Sequence, residues 1–74
     1  MTWLICRTKF GSFDDPADKF LENETGEWVP LERATRFNSR KFLLPRGHGA
    51  VFITEKDAKR LVDGKIRLEV TSKK

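Results

Sequence analysis

The sequence predicts a single α+β domain, spanning residues 1–74, in which a mostly antiparallel sheet of about five short strands packs against one short helix. Three observations predict this fold class. Runs of β-branched and aromatic residues alternate with turn residues, and one segment near the C-terminus carries helix start and stop signals. The 74 residues, of which 38% are hydrophobic, can enclose only one small core.

The first half of the chain predicts a strand followed by a hairpin. Residues 2–8 contain a continuous apolar run, which favours an interior strand. Residues 19–31 predict a hairpin, because Gly26 suits a left-handed turn between two strand-like runs. Pro30 lacks a backbone N–H, so the second arm of this hairpin is expected at an edge of the sheet.

The middle of the chain predicts three short pieces of structure. Residues 34–37 suit a short strand, and residues 38–44 suit a single helical turn that Pro45 ends. His48 lies between two glycines, which predicts an exposed and mobile turn. Residues 50–54 form another apolar run and predict a second interior strand.

The C-terminal part predicts the helix and a last strand. Thr54 can cap a helix over residues 55–63, Asp57 can complete a shortened capping box, and Gly64 provides a left-handed stop. Residues 65–71 alternate between apolar and charged side chains. This alternation predicts an antiparallel strand with one face in water.

The charge distribution predicts a partner of negative charge. The net charge is +4, yet residues 1–33 hold seven acidic against four basic residues, and residues 34–74 hold eleven basic against four acidic ones. Residues 33–49 contain five arginines or lysines and no carboxylate. Such asymmetry is typical of proteins that bind a polyanion or an acidic surface.

Several classes of function are disfavoured by composition. With Cys6 as its one cysteine the chain has no internal disulfide, which predicts a reducing, cytoplasmic setting, and no apolar run approaches the roughly 20 residues of a membrane span. One cysteine and one histidine do not make a metal site, and we expect no cofactor. A thiol nucleophile built from Cys6 and His48 is chemically conceivable. Cys6 nevertheless lies within an apolar strand, where an inert, buried thiol is expected.

Three hypotheses of function follow, and all draw on the basic stretch. The first is a non-enzymatic module that docks on a protein or nucleoprotein partner with an acidic surface. The second is direct binding of RNA or single-stranded DNA by the same cations together with Phe37 or Phe42. The third is a metal-independent ribonuclease in which His48 acts as acid or base beside Arg46. The candidate binding residues are Arg36, Arg40, Lys41, Arg46, His48 and Trp28.

The segment FLENETGEWVPLERATRFNS, residues 20–39, resembles short proteins that are common in bacteriophage and mobile-element genomes. In these proteins a hairpin ending in tryptophan runs into a step of alanine, arginine, phenylalanine and serine. The resemblance implies a compact, non-enzymatic accessory protein that interacts with the host, a group that includes inhibitors of host defence such as anti-CRISPR proteins. The basic net charge departs from inhibitors that mimic DNA, which are acidic.

Overall fold

The computed structural model describes residues 1–64 of the chain. It confirms the predicted α+β class, with four strands among the described residues where about five were predicted for the whole chain. The predicted strand over residues 65–71 lies outside the described residues. In chain order the elements are β1 (Trp3–Cys6), β2 (Phe20–Glu22), β3 (Glu27–Val29), a 3₁₀ turn (Leu31–Arg33), β4 (Val51–Thr54) and α1 (Glu55–Val62).

The four strands form one antiparallel sheet in the order β3-β2-β1-β4. β1 is therefore central, as its continuous apolar run predicted. β3 and β4 lie at the two edges of the sheet formed by residues 1–64, so within this part of the chain β4 is not the interior strand that its apolar run predicted. β2 and β3 are the arms of the predicted hairpin, with Phe20 opposite Val29. Gly26 has φ of 74° at the turn, the left-handed conformation that glycine adopts at no steric cost.

Both faces of the sheet carry apolar side chains, because successive residues of a strand point to opposite sides. One face packs against α1 and includes Leu4 and Cys6 of β1, with Phe20 and Ile53 from the neighbouring strands and Ala58 from the helix. We call this the helix face. The opposite face is rich in aromatic residues, and we call it the aromatic face. It carries Trp3, Ile5, Leu21, Trp28 and Phe52, together with Phe37 and Ala50 from the connecting segments.

α1 begins and ends close to the predicted residues. The Thr54 hydroxyl accepts a hydrogen bond from the backbone N–H of Asp57 at 3.1 Å, which confirms the N-cap. The Asp57 carboxylate does not complete the capping box among the described residues; it lies 3.9 Å from Arg60 instead. Gly64 follows the helix with φ of 77°, as predicted for its stop.

Two predicted elements between residues 34 and 44 do not form. The strand expected over residues 34–37 is a single bridge, in which Phe37 and Trp3 exchange backbone hydrogen bonds of 2.7 and 2.8 Å. The helical turn expected over residues 38–44 is a series of bends. One isolated turn has too few hydrogen bonds to offset the cost of helix nucleation, so tertiary contacts of the aromatic side chains decide the path.

No helix among residues 1–64 is both long and apolar enough to cross a membrane.

Candidate binding surface

Residues 39–46, here called the basic loop, run beside the aromatic face of the sheet. Phe37 enters the loop from the core, where it is 4% exposed, and its ring lies 4.7 Å from that of Phe42. The Phe37 ring also meets Phe52 of β4 edge to face at 6.4 Å. Phe37 is therefore a core residue, which corrects its expected role in base stacking. Its packing with Phe42 and Phe52 fixes where the loop meets the sheet.

Three consecutive apolar side chains of the basic loop face solvent. Phe42 is 47% exposed, Leu43 is 95% exposed and Leu44 is 38% exposed. Together with Phe52 and the polar part of the loop they line an open depression of about 690 Å³. Its lining residues are Ser39, Arg40, Lys41, Phe42, Leu43, Leu44 and Phe52. Exposed apolar side chains grouped in this way are typical of an interaction site.

Two cations, Arg40 and Lys41, line the depression, and Arg46 follows in the same loop. The guanidinium carbon of Arg40 lies 4.7 Å from the centre of the Trp3 ring, a cation–π contact that places this charge beside the aromatic face. Lys41 and Arg46 are exposed. Within residues 1–64, none of these three cations forms an ion pair. No carboxylate among residues 1–64 therefore neutralises these three charges.

Arg36 does not join this group, although the sequence predicted that it would converge with Arg40. Its Nε and Nη2 atoms lie 3.3 and 3.2 Å from one carboxylate oxygen of Glu55 at the start of α1. Its Nη1 donates to the carbonyl oxygens of Leu31 and Ala34 at 3.0 and 2.8 Å. Arg36 therefore connects the 3₁₀ turn to the helix, and the structure does not bring it together with Arg40 as the sequence predicted.

His48 and Trp28 pack against each other. Their ring centres are 5.3 Å apart and both residues are partly buried, so His48 is less exposed than its glycine neighbours predicted. The His48 carbonyl oxygen accepts hydrogen bonds from the backbone N–H groups of Thr8 and Lys9 at 3.1 and 3.0 Å. Trp28 belongs to the core of the aromatic face. This pair anchors the end of the basic loop.

Arg7 is a buried cation that sequence inspection missed. It is 5% exposed, and its guanidinium carbon lies 4.5 Å from the Phe10 ring centre and 5.3 Å from that of Trp28. Its Nε donates to the Asp18 carbonyl oxygen at 2.9 Å, and its Nη1 lies 3.4 Å from the Asp14 carboxylate. The sequence signal that could have revealed it is the alternation of side chains along a strand. Because residues 3 and 5 lie on the aromatic face, residue 7 is expected on the same face.

The thiol of Cys6 and the imidazole of His48 lie on opposite faces of the sheet. Cys6 packs within the helix face, whereas the His48 ring contacts Trp28 on the aromatic face. Burial raises the pKa of the Cys6 thiol from 9.0 to about 11, so it is protonated at neutral pH. The fold thus does not assemble the nucleophile pair considered from the sequence.

The arrangement offers a charged, partly apolar surface on one side of the sheet. Among residues 1–64 no group of three or more His, Cys, Asp or Glu side chains is placed to hold a metal ion. The basic loop combines positive charge with exposed apolar surface, the two features by which protein surfaces recognise partners, and Arg40, Lys41 and Arg46 form no ion pair within residues 1–64. Comparison of the chain with protein-family models, with curated proteins and with solved structures finds no match.

Proposed function

We propose that this protein is a small non-enzymatic binding module whose basic loop docks on the acidic surface of a protein or nucleoprotein partner. One observation carries the proposal. Three exposed apolar residues, Phe42, Leu43 and Leu44, lie in the same loop as cations that have no ion-pair partner within residues 1–64. An apolar centre with a charged rim is the common anatomy of protein interfaces.

The exposed apolar residues of the basic loop can contribute binding free energy beyond that of charge pairing. Leu43 keeps 95% of its surface in water, and it neighbours the partly exposed Phe42 and Leu44. Burial of apolar surface stabilises a complex by roughly 25 cal/mol per Å² before the costs of association. The cations then select an acidic partner and accelerate encounter with it. Both contributions come from one short segment of the chain.

The resemblance of residues 20–39 to short bacteriophage proteins supports a partner in the host cell. A binding module of this size would act by occupying a surface that the host uses. The proposed role is therefore that of a host-interaction protein, and inhibition of a host defence complex is one form of it. Its place of action is the cytoplasm of the host.

Affinity capture with matched charge variants tests this proposal. Wild-type protein and two variants are immobilised and exposed to a nuclease-treated bacterial lysate. The loop variant carries Lys41→Glu and Arg46→Glu, and the control carries the same charge change as Lys56→Glu and Lys59→Glu on α1, which packs on the helix face. We expect a protein that wild type and control retain and that the loop variant loses. Equal retention by all three would refute docking through the basic loop.

A second function, binding of single-stranded nucleic acid, is favoured by the half-exposed ring of Phe42. This ring lies in the same short loop as Arg40 and Lys41, and stacking of a base beside cations is how single strands are held. Titration of labelled oligonucleotides at two salt concentrations tests it. Binding weaker than about millimolar at low salt argues against this function, because non-specific binders reach about 10⁻⁴ to 10⁻⁶ M.

A further inference from the structure

We infer that the depression beside the basic loop receives one apolar side chain of an acidic partner segment, while carboxylates on either side of that side chain pair with Arg40 and Lys41. This inference rests on the proposed function and names what the partner must present. The occupant is a short extended acidic segment with a phenylalanine or leucine at its centre. The wall, the rim and the support of the depression each favour this occupant.

The wall of the depression is apolar over most of its length. Phe42, Leu43 and Leu44 come from the loop, and Phe52 comes from β4. A volume of about 690 Å³ lies within the range of roughly 300–1,000 Å³ typical of sites for small molecules, so one large side chain can enter. Leu43 and Leu44 have no flat face on which a base could stack, whereas an apolar side chain can pack against all four wall residues. We therefore take an aliphatic or aromatic side chain as the occupant, and a base stacked on Phe42 is the alternative that a competing oligonucleotide tests.

The rim of the depression is basic. Arg40 lies over the Trp3 ring at 4.7 Å, and this contact limits the positions that its guanidinium can adopt. A guanidinium held in place can form two parallel hydrogen bonds to one carboxylate, which Lys41 cannot. The sequence from residue 33 to residue 54 contains no carboxylate that could compete. Acidic groups beside the apolar anchor are thus expected on the partner.

The depression is supported from the core. Phe37 is bonded to the central strand through the Trp3 bridge, and its ring holds Phe42 at 4.7 Å and Phe52 at 6.4 Å. Two of the wall residues are therefore positioned by a buried side chain that is 4% exposed. A preformed site loses less conformational entropy on binding, so a short peptide suffices as ligand.

Labelled heptapeptides test the inference by fluorescence polarisation. Each has three acidic residues on both sides of a central residue, which is phenylalanine, leucine, serine or lysine. We expect the phenylalanine and leucine peptides to bind about tenfold or more tightly than the serine peptide, which is the effect of burying one large apolar side chain. The lysine peptide is expected to bind most weakly. A shared affinity for all four peptides overturns the inference.

Protein variants locate the binding. Leu43→Ser removes an exposed wall residue, and we expect it to reduce the preference for phenylalanine over serine by several-fold. Arg40→Gln is expected to weaken all acidic peptides and to reduce the dependence of binding on salt. Lys56→Gln removes an exposed positive charge on α1 and serves as the control. An equal loss of binding in Lys56→Gln and Arg40→Gln would show that only net charge matters, and would overturn the inference.

Different results would refute docking on an acidic surface and insertion of an apolar anchor. If all acidic peptides bind alike and Arg40→Gln weakens them, docking on an acidic surface stands and the apolar anchor is refuted. If no peptide binds at about millimolar and the loop variant captures the same proteins as wild type, both are refuted. A single-stranded oligonucleotide is included as a competitor. If it displaces the phenylalanine peptide and loses affinity in Phe42→Leu, the ligand is a nucleic acid and the inference is overturned.

Discussion

The turn that ends the basic loop depends on the absence of a side chain at Gly49. Its φ is 62°, and a Cβ built there would collide with the Thr8 hydroxyl oxygen and lie 3.2 Å from Lys9 Cγ. Gly47 has φ of 86° and open space around the position of its Cβ. We therefore expect Gly49→Ala to destabilise the fold much more than Gly47→Ala. Gly47→Ala reports the cost of backbone strain alone, and Gly49→Ala reports the same strain together with the steric collision.

The expected magnitudes follow from these contacts. Alanine in the left-handed conformation costs about 1–2 kcal/mol at either position. Gly49→Ala also displaces the Thr8 hydroxyl, which donates to the Gly49 carbonyl oxygen at 2.9 Å, and so loses about 0.5–1.5 kcal/mol. Crowding adds roughly 1–3 kcal/mol. Gly49→Ala is thus expected to cost about 3–6 kcal/mol, which is comparable with the whole stability of roughly 3–5 kcal/mol for a domain of this size.

Urea unfolding followed by tryptophan fluorescence measures these costs, provided that the transition is two-state. Thr8→Ala provides the decisive control, because it removes the hydroxyl that the new Cβ would meet. In the Thr8→Ala background, Gly49→Ala should cost only about as much as Gly47→Ala. Equal destabilisation by Gly47→Ala and Gly49→Ala in the wild-type background, or no relief in the double variant, would refute the reasoning.

The remaining predictions concern the core, the helix and the loop. Burial raises the pKa of the Cys6 thiol from 9.0 to about 11, so the folded state holds this proton more tightly than the unfolded state does. The contribution of Cys6 to the free energy of unfolding should therefore be constant below pH 9 and fall by roughly 1.4 kcal/mol per pH unit up to about pH 11. Urea unfolding at a series of pH values measures it, and Cys6→Ala should lack this component. Phe20→Ala should remove about 3–5 kcal/mol and abolish the cooperative thermal transition, because Phe20 is fully buried. Arg36→Met should lower the free energy of unfolding by about 1–2 kcal/mol, and Glu55→Gln should lower it less. The reason is that the two backbone carbonyls that accept hydrogen bonds from Arg36 lose their donor only in Arg36→Met. Equal costs of the two substitutions in urea titrations would contradict this. Leu43→Ser should change stability by less than about 0.5 kcal/mol, and a larger loss would mean that Leu43 is not exposed.

Only the structure shows that the cations and the exposed apolar residues of the basic loop belong to one surface. Lys41 and Arg46 flank the Phe-Leu-Leu run in the sequence, yet a run of three apolar residues usually indicates core. In the structure Phe37 is buried in the core at 4% exposed, whereas Phe42 and the two leucines that follow it are each at least 38% exposed. The exposed apolar residues therefore lie in the same loop as the cations and form one candidate binding surface with them.

Local sequence signals predict the hairpin, the helix and the central strand that are found in the structure. Pro30 and Gly26 define the hairpin, Thr54 and Gly64 delimit the helix, and the continuous apolar run of β1 predicts its central place. These signals depend on backbone geometry and on hydrogen bonds between near neighbours, so they do not require knowledge of the rest of the chain.

Which cations of residues 1–64 form ion pairs with other described residues depends on contacts that the sequence does not show. Arg36 and Arg40 are only four residues apart, but the bridge between Phe37 and Trp3 fixes the position of the chain between them. As a result, Arg36 pairs with Glu55, whereas Arg40 lies over the Trp3 ring. Partners in such contacts are distant in sequence, and their identity depends on strand register. A shift of one residue in register exchanges the two faces of a strand, and local patterns do not fix it for so short a segment.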